Sequence, residues 1–111
     1  MKPEKIKIRY YFKSFVVDVL DTFQMYGHLF CVHNRASLFG SAIMLIDDRY
    51  FVTEYSTGCR IGEGGETIES AIANTKKLLR KAGKEKFKKA MARNLRKYKT
   101  LNYKKDLKYG R

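Results

Sequence analysis

The sequence predicts an α+β protein: an antiparallel sheet of four to five strands packed by one helix, followed by a second, basic C-terminal helix. Three observations lead there. Residues 5–13 alternate apolar and polar side chains with a period of two, as a half-buried strand does. Two β-rich runs, 41–46 and 50–55, flank Asp47-Asp48-Arg49, which has turn chemistry. Between residues 67 and 83 the apolar positions instead recur at helical spacing.

In the first strand Ile6, Ile8, Tyr10 and Phe12 fall on one side, and Lys5, Lys7, Arg9, Tyr11 and Lys13 on the other. Such a row of lysines either blocks pairing at a sheet edge or offers a second surface to phosphate. Residues 15–23 fit a strand through Val16, Val17 and Val19, and a helix through Val16, Val19, Leu20 and Phe23. The strand reading is preferred, because residues 24–27 can then turn the chain into a strand over 28–33. Residues 35–40 read as a loop and Ser56-Thr57-Gly58 as a turn, with Arg60 and Ile61 able to form a short return strand.

Thr67 is placed to cap a helix, with Glu69 in its first turn, where the helix dipole favours negative charge. Ile68, Ala71, Ile72, Thr75, Leu78, Leu79 and Ala82 form the stripe expected to lie on the sheet, and Gly83 ends the helix. A second helix over 85–99 repeats the scheme with Phe87, Ala90, Met91, Leu95 and Tyr98. The expected division is a compact body over 1–83, with the basic helix and tail over 84–111 belonging to the same domain. The tail after residue 100 interleaves Tyr103 and Tyr109 with lysines and is expected to order only on a partner.

Charge is distributed unevenly. Of 24 lysines and arginines, sixteen lie in residues 76–111, opposed there only by Glu85 and Asp106, while the rest of the chain is near neutral. The net charge of +13 is therefore concentrated at one end, which bears on partners and not on fold. The natural partner is a polyanion, DNA or RNA. The residues expected to contact it are Lys76, Lys77, Arg80, Lys81, Lys86, Lys88, Lys89, Arg93, Arg96, Lys97, Lys99 and Tyr103. In the second helix no Glu follows a cation at i+4, the one acid being Glu85 at its start, and a face built for solubility alone would mix its signs. Lysine outnumbers arginine, and lysine supplies point charge without bidentate base readout, so weak sequence preference is expected. Tyr11, Tyr98, Tyr103 and Tyr109 could stack on unpaired bases.

Other chemistry finds less support. Gly62, Gly64 and Gly65 precede a helix, but Glu66 stands where a phosphate-binding loop needs lysine, so loop flexibility is the expected role. His28, Cys31, His33 and Cys59 lack the paired spacing of a zinc site, and the cysteines read as buried reduced thiols in strands. Asp47, Asp48 and Glu54 lack the lysine that a nuclease site would place beyond its last acid, and neither histidine has a serine and acid arranged as a triad. No catalytic residue, metal or cofactor is expected. No apolar run is long enough for a bilayer and none resembles a signal peptide, so a soluble cytoplasmic protein without membrane association is expected.

The run from Tyr50 through Thr57-Gly58 and Gly62 to residues 67–72 resembles the sheet-then-helix modules of small basic accessory proteins of bacteriophages and mobile elements, such as the arm-type DNA-binding domains of tyrosine integrases. It also resembles the double-stranded-RNA-binding domain. That family places lysines at the helix start, where this chain has Thr67, Ile68 and Glu69. The resemblance implies an accessory factor acting on nucleic acid, in the host cytoplasm if the protein is viral. The competing class is an inhibitor or adaptor docking on a host nucleoprotein complex, such as a CRISPR or restriction effector. A third is a ribosome-associated or structural basic protein.

Overall fold

The computed structural model describes residues 3–10, 13–39, 42–97 and 100–102, with the side chains of residues 10, 35–39, 42–47 and 97 left aside. The elements in order are β1 (Lys5–Tyr10), β2 (Lys13–Asp18), β3 (Asp21–Met25), β4 (His28–Phe39), β5 (Ala42–Glu54), α1 (Ile68–Ala82) and α2 (Lys84–Lys97). The fold class is α+β. The expected single sheet is instead two antiparallel sheets, a β1-β2 ribbon and a β3-β4-β5 sheet.

The division arises at Val19 and Leu20, which leave the ribbon. The Val19 amide donates to Glu4 O at 2.9 Å and the Leu20 amide to Val32 O at 2.8 Å, folding the ribbon over onto the larger sheet. The ambiguous 15–23 stretch is thus two strands with a break, and not a helix. Alternation then gives β4 two buried faces. Cys31 packs with Ile6, Ile8, Val17, Val19 and Tyr55 on the ribbon side. Phe30 and Val32 pack with Val52, Ala71, Leu79, Phe87 and Met91 on the helix side. The result is three layers, ribbon on sheet on helices.

Tyr26 and Gly27, both at positive φ (55° and 79°), make the two-residue turn from β3 to β4, the mirror-image geometry that matches strand twist. Tyr26 also reaches α1, its hydroxyl donating to Leu79 O at 3.2 Å.

Two expectations between β4 and β5 are corrected. Residues 35–39 are strand and not loop, so that β4 runs for 12 residues. Asp47-Asp48-Arg49 lies inside β5 and turns nothing. Asn34 pairs with Tyr50 and Arg35 with Ile46, so these three residues form a bulge in one continuous strand. A bulge and a turn both need residues that tolerate unpaired backbone, hence the shared composition. The expected return strand at Arg60 and Ile61 is reduced to isolated bridges, Thr53 with Arg60 and Tyr50 with Gly65.

The first helix is capped as expected. Thr67 accepts from the Ser70 amide while the Ser70 hydroxyl serves the Thr67 amide, and Gly83 closes the other end with its amide on Leu79 O. Ala71, Thr75 and Leu79 are buried on the sheet, but Leu78 is 44% exposed and Ala82 is exposed. In α2, Phe87 and Met91 are buried, whereas Leu95 is 38% exposed. Leu78 and Leu95 lie at the margins of their stripes. Phe87 holds α2 in place among three rings, with centroids 5.0 Å from His28, 5.9 Å from Tyr26 and 5.7 Å from Phe30.

The chain then returns to the ribbon. The Leu101 and Asn102 amides donate to Ser56 O. The Asn102 side chain pairs with both backbone groups of Lys7, at 2.9 and 2.8 Å, and donates to Tyr55 O at 2.7 Å. Thus 101 and 102, expected in a tail unordered without a partner, are docked. They and Gly58 O, which accepts from the Arg9 amide, occupy the second edge of β1. Among the described residues no helix is long and apolar enough to cross a membrane.

Candidate nucleic-acid interface

The predicted contact residues are placed by the two helices that cover the sheet. Leu79, Phe87 and Met91 turn inward, which leaves Lys77, Arg80, Lys81, Lys86, Lys88, Lys89, Arg93 and Arg96 exposed on the outer side. Lys84, at the start of α2, is exposed with them. Lys77, Arg80 and Lys81 neighbour one another at spacings of three and four, as do Lys86, Lys89, Arg93 and Arg96, so each helix carries a row of cations. In α1 the row lies at the C-terminal end, where the dipole favours it.

Lys76 differs from the others. It is half-buried, with its ammonium 5.3 Å from the centroid of the Phe23 ring, so it is partly committed to covering the sheet. Lys97 ends α2, while Lys99 and Tyr103 lie outside the described residues, as do Tyr11, Tyr98 and Tyr109.

Among the described residues the ion pairs are Lys5 with Asp18, His28 with Glu54, and Arg60 with Glu63. None involves a cation of α1 or α2. The rows are therefore held by the core, and among the described residues they meet no counter-charge within ion-pair distance.

The remaining candidate groups are occupied in other ways. His33, 2% exposed, places Nε2 2.7 Å from Thr53 Oγ1 and Nδ1 2.8 Å from Asn34 O, and burial depresses its pKa below the ordinary 6.5 despite the raising effect of the Asn34 carbonyl. Cys31 lies in the ribbon-side core, where burial, and then the nearby Glu54 charge, push its thiol up to about 12. Cys59 sits half-buried in the segment after the Ser56–Gly58 turn, outside the strand expected for it. Among the described residues no three His, Cys, Asp or Glu side chains converge on a common point.

The glycine loop is not the flexible element expected. A side chain on Gly64 would collide with the Tyr50 carbonyl, because Tyr50 exchanges both backbone hydrogen bonds with Gly65. Asn74 on α1 pins the loop further through Gly64 O at 3.0 Å. Close backbone approach accounts for glycine there. The same loop, with Arg49, Asn74, Thr75 and the exposed Leu78, borders an open groove of about 450 Å³.

Sequence reasoning weighed Glu54 only as an acid of a nuclease site and missed its structural role. Its side chain is 1% exposed and accepts from the Ser56 amide (2.9 Å), the Ser56 hydroxyl (2.7 Å), the Thr57 amide (2.9 Å) and the Thr57 hydroxyl (2.9 Å), with His28 Nδ1 at 3.2 Å. Burial alone would raise its pKa, but the hydrogen bonds from Ser56 and then Thr57 outweigh it and hold the carboxyl below the ordinary value. The signal was available, since an acid followed at two and three residues by Ser and Thr can close a turn on itself. No family model, no curated protein and no solved structure matches this chain.

Proposed function

We propose that the protein binds DNA or RNA through the outer faces of α1 and α2, as a small cytoplasmic accessory factor with little sequence preference. The observation that supports this is the rows of exposed cations that form no ion pair among the described residues, set on helices fixed by Leu79, Phe87 and Met91. Rows of this kind match a phosphate backbone, and binding would release condensed counter-ions. Lysines dominate the face, which favours contact with phosphate over reading of base edges. The reading assigns this face binding and no catalysis.

The test is titration with labelled single-stranded and duplex oligonucleotides over a range of salt. On duplex DNA the log–log slope should approach roughly −0.9 per phosphate neutralised. Charge reversal at Lys89, Arg93 and Arg96 together should abolish binding at moderate salt, and milder neutralisation of all three should lower the slope by about three. An unchanged slope and affinity would reject the assignment. Leu78 and Leu95, exposed near these cations, favour a second reading, an adaptor that docks on an acidic, partly apolar protein surface of a host nucleoprotein complex. It would show little affinity for free oligonucleotides and would co-purify with protein.

A further inference from the structure

The strands differ in how their outer edges are treated. Along β1, Lys7 gives both backbone groups to Asn102, and the Arg9 amide goes to Gly58 O. Along β5, Tyr50 and Thr53 are bridged by Gly65 and Arg60, and in β3 the Thr22 amide is taken by the Asp21 carboxylate at 2.8 Å. The edge of β2 has no such cover. Because Lys7 and Arg9 turn their backbone groups away from β2, the bonded pairs of the ribbon are Ile6 with Val17 and Ile8 with Phe15. The amides and carbonyls of Ser14, Val16 and Asp18 therefore point the other way, and among the described residues no hydrogen bond reaches them. All three side chains are exposed, Val16 to 57%. From Ser14 to Asp18 the strand also holds no lysine, proline or bulge, the features that keep exposed edges apart.

We infer that this edge is where two copies of the chain join, β2 lying antiparallel to β2 about a two-fold axis at Val16, so that the two ribbons make one four-stranded sheet. In that register Val16 exchanges both backbone hydrogen bonds with its counterpart, and Ser14 does the same with Asp18 on either side of the axis. The side chains select a second copy over another extended segment. Valine meets valine at the centre, and each Ser14 hydroxyl stands opposite an Asp18 carboxylate, a donor facing an acceptor. Lys13 falls opposite Val19, and Lys5, Lys7 and Arg9 lie one strand back from the seam, so no like charges come opposite each other. An acidic or basic segment finds no free charge to match, since Lys5 already holds Asp18 at 2.7 Å. The ribbon packs on the Cys31 side of the sheet and the helices on the Phe30 side, which keeps the cationic rows of the two copies apart. The inference is independent of the nucleic-acid reading.

Sedimentation equilibrium and amide hydrogen exchange of the full chain, freed of nucleic acid, test it together. The mass should rise with concentration from 13.0 kDa towards twice that value. Over the same range, exchange at the Ser14, Val16 and Asp18 amides should slow by about tenfold or more, while Phe15 and Val17, bonded to β1 in either state, should not change. Val16→Lys sets two ammonium groups opposite each other on the axis and should weaken association by about tenfold or more. Leu78→Ser, on the helix layer, should leave association unchanged, which separates the edge from general clustering of exposed apolar residues. Far-ultraviolet circular dichroism establishes that each variant is folded. A wild-type chain that stays at 13.0 kDa at every concentration overturns the inference, whatever the variants do. So does a dimer whose Val16 amide exchanges as fast as the monomer's, a folded Val16→Lys variant that still dimerises fully, or a monomer whose edge is protected only by an added extended peptide.

Discussion

At the Glu54 turn, a single buried carboxylate accepts from the amides and hydroxyls of Ser56 and Thr57 and lies beside His28. On the outer faces of α1 and α2, many exposed cations meet no carboxylate among the described residues. The first region spends its polar groups internally and fixes the fold. The second leaves them in water, where they contribute nothing to stability and repel one another slightly. The difference separates charge that builds the molecule from charge available to a partner, and it can be tested by removing each in turn.

The largest effect should come from the apolar contact beneath the cationic rows. Leu79→Asp puts an unpaired charge among Phe30, Val52 and Phe87, costs more than about 4 kcal/mol and should abolish cooperative thermal unfolding. Next is Glu54→Ala, which leaves the Ser56 and Thr57 donors without an acceptor. A loss of about 3–5 kcal/mol in urea unfolding is expected. That variant should also loosen the attachment of β1, because Gly58 O and Ser56 O hold Arg9 and Leu101 from the same turn.

Acid should act on the same region. The folded pKa of His33 is lowered from 6.5, so the unfolded chain takes up the proton first, and stability falls as pH drops below about 6.5 towards the folded value. Glu54, lowered from 4.5, contributes stability that is present above that value and is lost as pH falls through its folded pKa. Urea midpoints measured from neutral to acid pH should therefore decline in two stages. Replacing His33 with glutamine should remove the upper stage. The smallest effect belongs to the helices. Charge reversal at Lys89, Arg93 and Arg96 should change the unfolding free energy by only about 0.5 kcal/mol while removing oligonucleotide binding. A large loss of stability there would erase the contrast.

Much of the fold was legible because local chemistry and long-range packing agree. Thr67 and Gly83 bound α1 as their side-chain and backbone preferences require, and the alternation in β1 names its buried face. Legibility failed where one composition serves two geometries. Asp47-Asp48-Arg49 suits a turn or a bulge, and only the pairing of Arg35 with Ile46 decides between them. Gly64 looks permissive until Tyr50 is placed against it. The split into two sheets depends on Leu20 reaching Val32, and the docking of Asn102 on Lys7 spans 95 residues; neither leaves a local trace. Among the site residues, exposure of the cationic rows followed from the apolar stripes. The engagement of Lys76 with Phe23 did not, because it depends on where β3 lies under α1.

Gly83 is the one residue between α1 and α2, at φ 91° and ψ 152°, a backbone state close to exclusive to glycine although a side chain would find open space there. With Leu79 anchored before it and Phe87 after it, the joint works as a fixed bracket and not as a hinge. The spacing between the two sets of cations is then preset. Heparin, polyphosphate and a duplex of equal total charge should be ranked by how well their anions fit that spacing, and not by how many they carry.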